Sequence, residues 1–135
     1  MNRVLLVASL LAALMAGIHL VIGGSYIAAP LLESSLETEP RLVLYACWHG
    51  ISAALALSAV GLFVGALPRF AEPSRVMVLA ISIWWLAAGA IILALIATHP
   101  GDGLWWRLPQ WMLLTPVGLL GLWAATRRRR AAPFP

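Results

Sequence analysis

Long apolar runs alternate with short polar breaks along this chain, and the breaks set its organisation. Apolar residues extend from about Val4 to Ala29, Leu42 to Leu67, Val76 to Thr98 and Pro109 to Thr126. Even the shortest run, about 18 residues, spans roughly 27 Å as a helix, just sufficient to cross a bilayer. The pattern predicts an all-α fold: a polytopic membrane protein, a four-helix transmembrane bundle, in one transmembrane domain over residues 1–135. The first run follows Arg3 in the manner of a secretory signal. It is too long for a signal h-region and no small-x-small site follows, so it is expected to stay as a helix.

The breaks carry their own signals. Residues Pro30 to Pro40 hold Glu33, Glu37 and Glu39 and read as an acidic loop, with Ser34 and Glu37 in capping-box spacing for one interfacial turn. The second run follows Pro40, which suits a first helical position, with Glu39 favourable to the helix dipole. It ends at Pro68, before a polar hinge with Arg69, Glu72, Pro73 and Arg75. The third stops at the breaker cluster His99-Pro100-Gly101-Asp102-Gly103. Pro116 removes a backbone bond inside the fourth run, frees the carbonyl of Met112 and predicts a kink. Small residues recur at helix-packing spacing: Ala12 with Ala16, Gly50 with Ala54, Ala90 with Ala94, and Gly121 with Ala125.

Composition excludes a water-soluble fold, because 62% of residues are hydrophobic and only 10% are charged. All nine basic residues are arginine, a bias that with the abundant alanine and leucine points to a GC-rich bacterial genome. Their placement fixes an orientation. Arg3, Arg69, Arg75 and Arg127 to Arg130 fall on one side, and only Arg41 and Arg107 on the other, so both termini are expected in the cytoplasm and the protein in the bacterial inner membrane. Trp105, Trp106 and Trp111 then mark the outer interface and Trp123 the inner one. The block Arg127, Arg128, Arg129 and Arg130 within the tail 127–135 reads as an anchor to anionic lipids, not as a nucleic-acid site.

The candidate chemistry centres on His19 and His49, since ionisable residues within a span are costly and default to function. His19 is expected roughly 15 Å below the outer end of its helix and His49 roughly 12 Å below the same surface, so the two can meet. His19 shares a helical face with Ala12, Ala16, Gly23 and Tyr26; His49 shares one with Tyr45, Ser52, Ala53 and Ala56. Both are expected to point inward. The functional reading is a cofactor site made of His19, His49, Tyr26, Tyr45 and Trp84, either an axial pair for haem b or a shared site for a quinone. The bland reading is two histidines bridging helices through hydroxyls or a carbonyl. Trp84 and Trp85 fall mid-span, where at least one faces the bundle and offers a surface for a flat ligand.

Other constellations are incomplete. Cys47 and His49 lie on nearly opposite helix faces, and zinc would need His99, Glu33 or Asp102 from loops. Cys47 is expected to be a small buried hydrophobe. Trp105, Trp106 and Arg107 suit a carboxylate or lipid headgroup, and interfacial anchoring equally. No acidic residue falls within a span, which disfavours a proton-coupled cation exporter. No serine–histidine–aspartate order, cysteine pair or phosphate-cradling glycine loop is present.

Three short pieces, Gly17-Ile18-His19 with Gly23-Gly24, Trp48-His49-Gly50, and Thr115-Pro116-Val117-Gly118, give the chain a resemblance to uncharacterised small four-span bacterial inner-membrane proteins. Such proteins have no established activity, so the resemblance implies topology alone. Three functions stay open: a non-catalytic subunit or assembly partner of a larger membrane complex or a homo-oligomer, a haem- or quinone-binding redox protein, and a small-molecule permease working through the bend at Pro116.

Overall fold

A computed structural model describes residues 1–100 and 103–127, in which every regular element is a helix. Helix α1 spans Arg3–Leu32 and changes character on the way: α-helical over Arg3–Ile18, π-helical over His19–Ala28, then one α turn at Ala29–Leu32. Helix α2 spans Thr38–Ala66 and, after a 3₁₀ turn at Pro68–Phe70, α3 spans Arg75–Thr98. A single helical turn at Leu104–Arg107 leads to α4, Trp111–Thr126.

Among the described residues, α1, α2 and α3 are long and apolar enough to cross a membrane, with mean hydropathies of 2.5, 1.7 and 2.4. Helix α4 has 16 residues. It reaches only about 24 Å, short of a hydrocarbon layer of about 30 Å. The expected run is shortened because Pro109 and Gln110 form a turn. Their carbonyls accept from Met112 N (3.0 Å) and Leu114 N (3.0 Å).

Three local expectations change. Pro30 does not end α1, and Pro40 is the third residue of α2, where its missing N–H is still one of the four amides with no acceptor in the helix. Ser34 starts no turn; its hydroxyl donates to Leu31 O (2.7 Å) and closes the end of α1 instead. Pro116 lies inside α4, where the fourth run placed it, and does not end the helix.

The helices pack through stripes at three- and four-residue spacing. The stripes are Leu5, Ala8, Ala12 and Met15 on α1, Ser52, Leu55, Ala59, Leu62 and Ala66 on α2, Val78, Ser82, Trp85 and Gly89 on α3, and Leu114, Val117, Gly121 and Ala125 on α4. Helix α1 packs on α2 and α4, and α4 on α3; α2 and α3 touch more sparsely. The α3–α4 contact is so close that a Cβ on Gly118 would meet Leu86 Cγ at 2.6 Å and Ser82 O at 2.9 Å, and one on Gly121 would run into the Ser82 hydroxyl. Of the expected small-residue pairs, Ala12/Ala16 and Gly121/Ala125 are buried, but Gly50, Ala90 and Ala94 are exposed. Serine and glycine supply the close approaches instead, with Ser82 and Gly89 facing α4.

One end of the bundle is tied. Asn2 caps α1, its side chain accepting from Val4 N (3.1 Å), while its own N–H donates to Ala66 O at the end of α2 (2.8 Å). Arg75, at the start of α3, donates from Nε to Ala125 O in the last turn of α4 (3.0 Å), a cation placed on the negative helix end. Arg3, Arg69 and Arg127 belong to this same end. Arg128, Arg129 and Arg130 lie outside the described residues. Toward the other end the covering thins: no residue of α2 before Ser52 is buried, nor any of the π-helical segment except Ala28.

Candidate functional site

The conversion of α1 from α to π geometry begins at His19, just beyond Ala16, the last buried residue of the α-helical part, and beside the first half of α2. A π segment closes i→i+5 bonds, widens the helix and recurs at functional positions. Here it places His19 against α2, where the imidazole stacks on Trp48 with ring centroids 4.8 Å apart and 18° between planes. His19 Nε2 lies 3.4 Å from Trp48 O, a carbonyl that also accepts from Ser52 Oγ at 2.9 Å. The indole Nε1 of Trp48 is buried with no acceptor.

Two glycines shape the space beside these rings. A Cβ on Gly23 would lie 3.8 Å from Trp48 Nε1 and 3.9 Å from His19 Nδ1, whereas one on Gly24 would have nothing within 4 Å. Gly23 thus marks a notch on which one nitrogen of each ring converges. Tyr45, one turn before Trp48, lies parallel to its indole at 6.4 Å.

The other expected site residues separate from this centre. His49 is exposed and meets Tyr45 and Trp48 edge-on, at 4.5 and 5.0 Å. Trp48 contacts both imidazoles, so His19 and His49 do not face each other across open space. Tyr26 is 77% exposed and far around the helix from His19. Trp84 lies deeper, lining a lateral groove of about 590 Å³ between α2 and α3 with Leu57, Gly61, Val64, Met77 and Ile81. Its neighbour Trp85 is fully buried and donates from Nε1 to Ser58 Oγ (3.0 Å), which in turn donates to Leu55 O (2.9 Å). Cys47 is exposed, which corrects its expected burial. No group of three or more metal-ligating side chains exists among the described residues; Asp102 lies outside them.

Trp48 is the residue that sequence reasoning missed. Its signal was the stripe itself: Ser52, Leu55, Ala59, Leu62 and Ala66 extend back by one helical turn to Trp48, not to His49. At the far end of α3, Trp105 meets Trp111 edge-on at 5.7 Å, and Trp111 Nε1 and Gln110 Oε1 are buried without partners.

No family model matches the chain, and no curated protein or solved structure matches it either.

Proposed function

We propose that this is a four-span protein of the bacterial inner membrane, the turn at Pro109 and Gln110 extending α4 into the fourth crossing, with both termini cytoplasmic, and that it holds a lipid-soluble ligand of quinone type beside His19 and Trp48. The observation that carries the reading is the buried Trp48 N–H without an acceptor, next to a π-helical segment inside the apolar zone. Leaving such a donor unmet costs about 1–3 kcal/mol, which a bound oxygen recovers. The gathering of Arg3, Arg69, Arg75 and Arg127 at the tied end supports the orientation. Arg127 also stacks over Trp123, its guanidinium carbon 3.7 Å from the ring centre, a pairing suited to the headgroup level.

The residues do not fit a haem held by two imidazoles. That arrangement needs a ring nitrogen from each histidine aimed at one iron, while His19 is stacked on Trp48 with Nε2 on a carbonyl, and His49 is exposed. A quinone needs only hydrogen-bonding groups and an apolar approach.

A second reading, a non-catalytic subunit or assembly partner, is favoured by the uncovered α2 surface between Thr38 and Ile51. The two are compatible, since a subunit can carry the ligand. One preparation tests both: extraction in mild detergent from native membranes, organic extraction of bound lipids, oxidised and reduced absorption spectra, and analysis of co-purifying proteins. A stoichiometric isoprenoid quinone is the expected result. A monodisperse, partner-free and ligand-free protein would overturn both readings.

A further inference from the structure

The ring nitrogens at the Gly23 notch define more than a generic acceptor site. Nε2 of His19 faces Trp48 O, which can only accept, so the tautomer that pairs with this carbonyl is the one with its hydrogen on Nε2. In the neutral ring this leaves Nδ1 as an acceptor, and Nδ1 is the nitrogen that borders the notch. Trp48 Nε1 borders the same notch and can only donate. One acceptor and one donor therefore converge on a space that glycine leaves unfilled.

A carbonyl satisfies the indole N–H and nothing else. A hydroxyl satisfies both, accepting from Trp48 Nε1 and donating to His19 Nδ1. We infer that the notch at Gly23 is the binding site for the hydroxyl of a membrane-soluble phenol or hydroquinone, in preference to the corresponding carbonyl form. The inference rests on the ligand-binding reading above and adds the hydrogen-bond polarity of the site. Tyr45, parallel to the Trp48 indole, extends the aromatic wall toward the outer side, and the exposed Leu20, Val21 and Ile22 around the π segment face the phase from which such a ligand arrives. Because Trp48 Nε1 is sealed here, entry requires α1 and α2 to part slightly where they are least covered.

Gly23 provides the test, since a methyl group there meets its neighbours at ordinary contact distances and fills the notch without displacing them. The full chain is placed in lipid nanodiscs and titrated with a decyl-substituted benzohydroquinone, following the indole N–H resonance of Trp48, assigned from Trp48→Phe. The matched dimethyl ether serves as a ligand with no hydroxyl. The expected result is saturable binding that shifts the Trp48 resonance, at least tenfold weaker for the dimethyl ether and for Gly23→Ala, and unchanged for Gly24→Ala. Equal binding of hydroquinone and ether, or no effect of Gly23→Ala, overturns the inference while leaving a ligand site elsewhere. A Trp48 N–H in contact with water only, with no saturable binding of either probe, overturns the inference and the ligand-binding reading together.

Discussion

Replacing Gly118 by alanine tests the account of how α3 and α4 are held together. The added methyl carbon would sit 2.6 Å from Leu86 Cγ and 2.9 Å from Ser82 O, and ordinary contact begins at 3.4 Å. By difference, relief needs a shift of about 0.8 Å at Leu86 and of about 0.5 Å at the Ser82 carbonyl, in a close-packed seam with few voids to absorb either. Leu86 can turn, but Ser82 O is backbone in the middle of α3, so the helices must separate. A gap of about 0.5–1 Å forfeits a quarter to a half of each van der Waals contact along the seam. Overpacking of this kind costs about 1–3 kcal/mol, against which alanine returns up to about 1 kcal/mol of helix propensity. The net expectation is a loss of about 1–2 kcal/mol, read by reversible unfolding in mixed detergent micelles. Gly50→Ala, which meets nothing within 4 Å, is the control and should be neutral or slightly stabilising. Equal stability of the two variants would refute the close-approach argument.

Ser58→Ala should cost about 1–3 kcal/mol, because Trp85 Nε1 is left buried with no acceptor; in a double-mutant cycle Trp85→Phe should then cost less than it does alone, and additive losses would count against the bond. Arg75→Gln should lower stability by about 0.3–1 kcal/mol through the lost cation at the end of α4, with thermal unfolding in detergent as the measure and an unchanged midpoint as the adverse result. In a Cys47→Ala background, Ser35→Cys should react with a membrane-impermeant maleimide in intact cells, and Ala71→Cys only after permeabilisation. The reverse pattern would invert the orientation.

The apolar runs and the arginine bias made the helices and the basic end legible, because hydropathy and charge respond directly to a bilayer. The facing of individual side chains was much less so. In a soluble protein a polar stripe separates outside from inside, but here lipid and core are both apolar, and only small residues mark the difference. Ala12, Ala16, Gly121 and Ala125 carried that mark correctly, while Ala90 and Ala94 carry it on an exposed face. His49 is placed inward by the face it shares with Tyr45, Ser52, Ala53 and Ala56, yet Ala53 and Ala56 are themselves exposed and lie with His49 and Val60 on the outward stripe. Tyr26 failed for another reason. Two turns of α-helix, at about 100° per residue, would return it to the face of His19, but the π segment turns less at each step, and the register is lost. The Gly23-Gly24 motif lies inside the π segment, which no periodicity in the sequence announces.

The packing order of the helices also dictates an order of manufacture. Helices α1 and α2 are neighbours in sequence and contact, so they can pair as soon as both are inserted. Helix α3 has sparse contact with α2 and finds its main partner only in α4, which also lies against α1. Helix α4, made after the other three, is therefore the one that completes their packing, and its final turn receives the Arg75 bond that closes the tied end. A chain interrupted before Trp111 would hold α3 in the bilayer with Ser82 and Gly89 facing lipid in place of α4. Until α4 is in place, the small residues of that seam have no helix to close on.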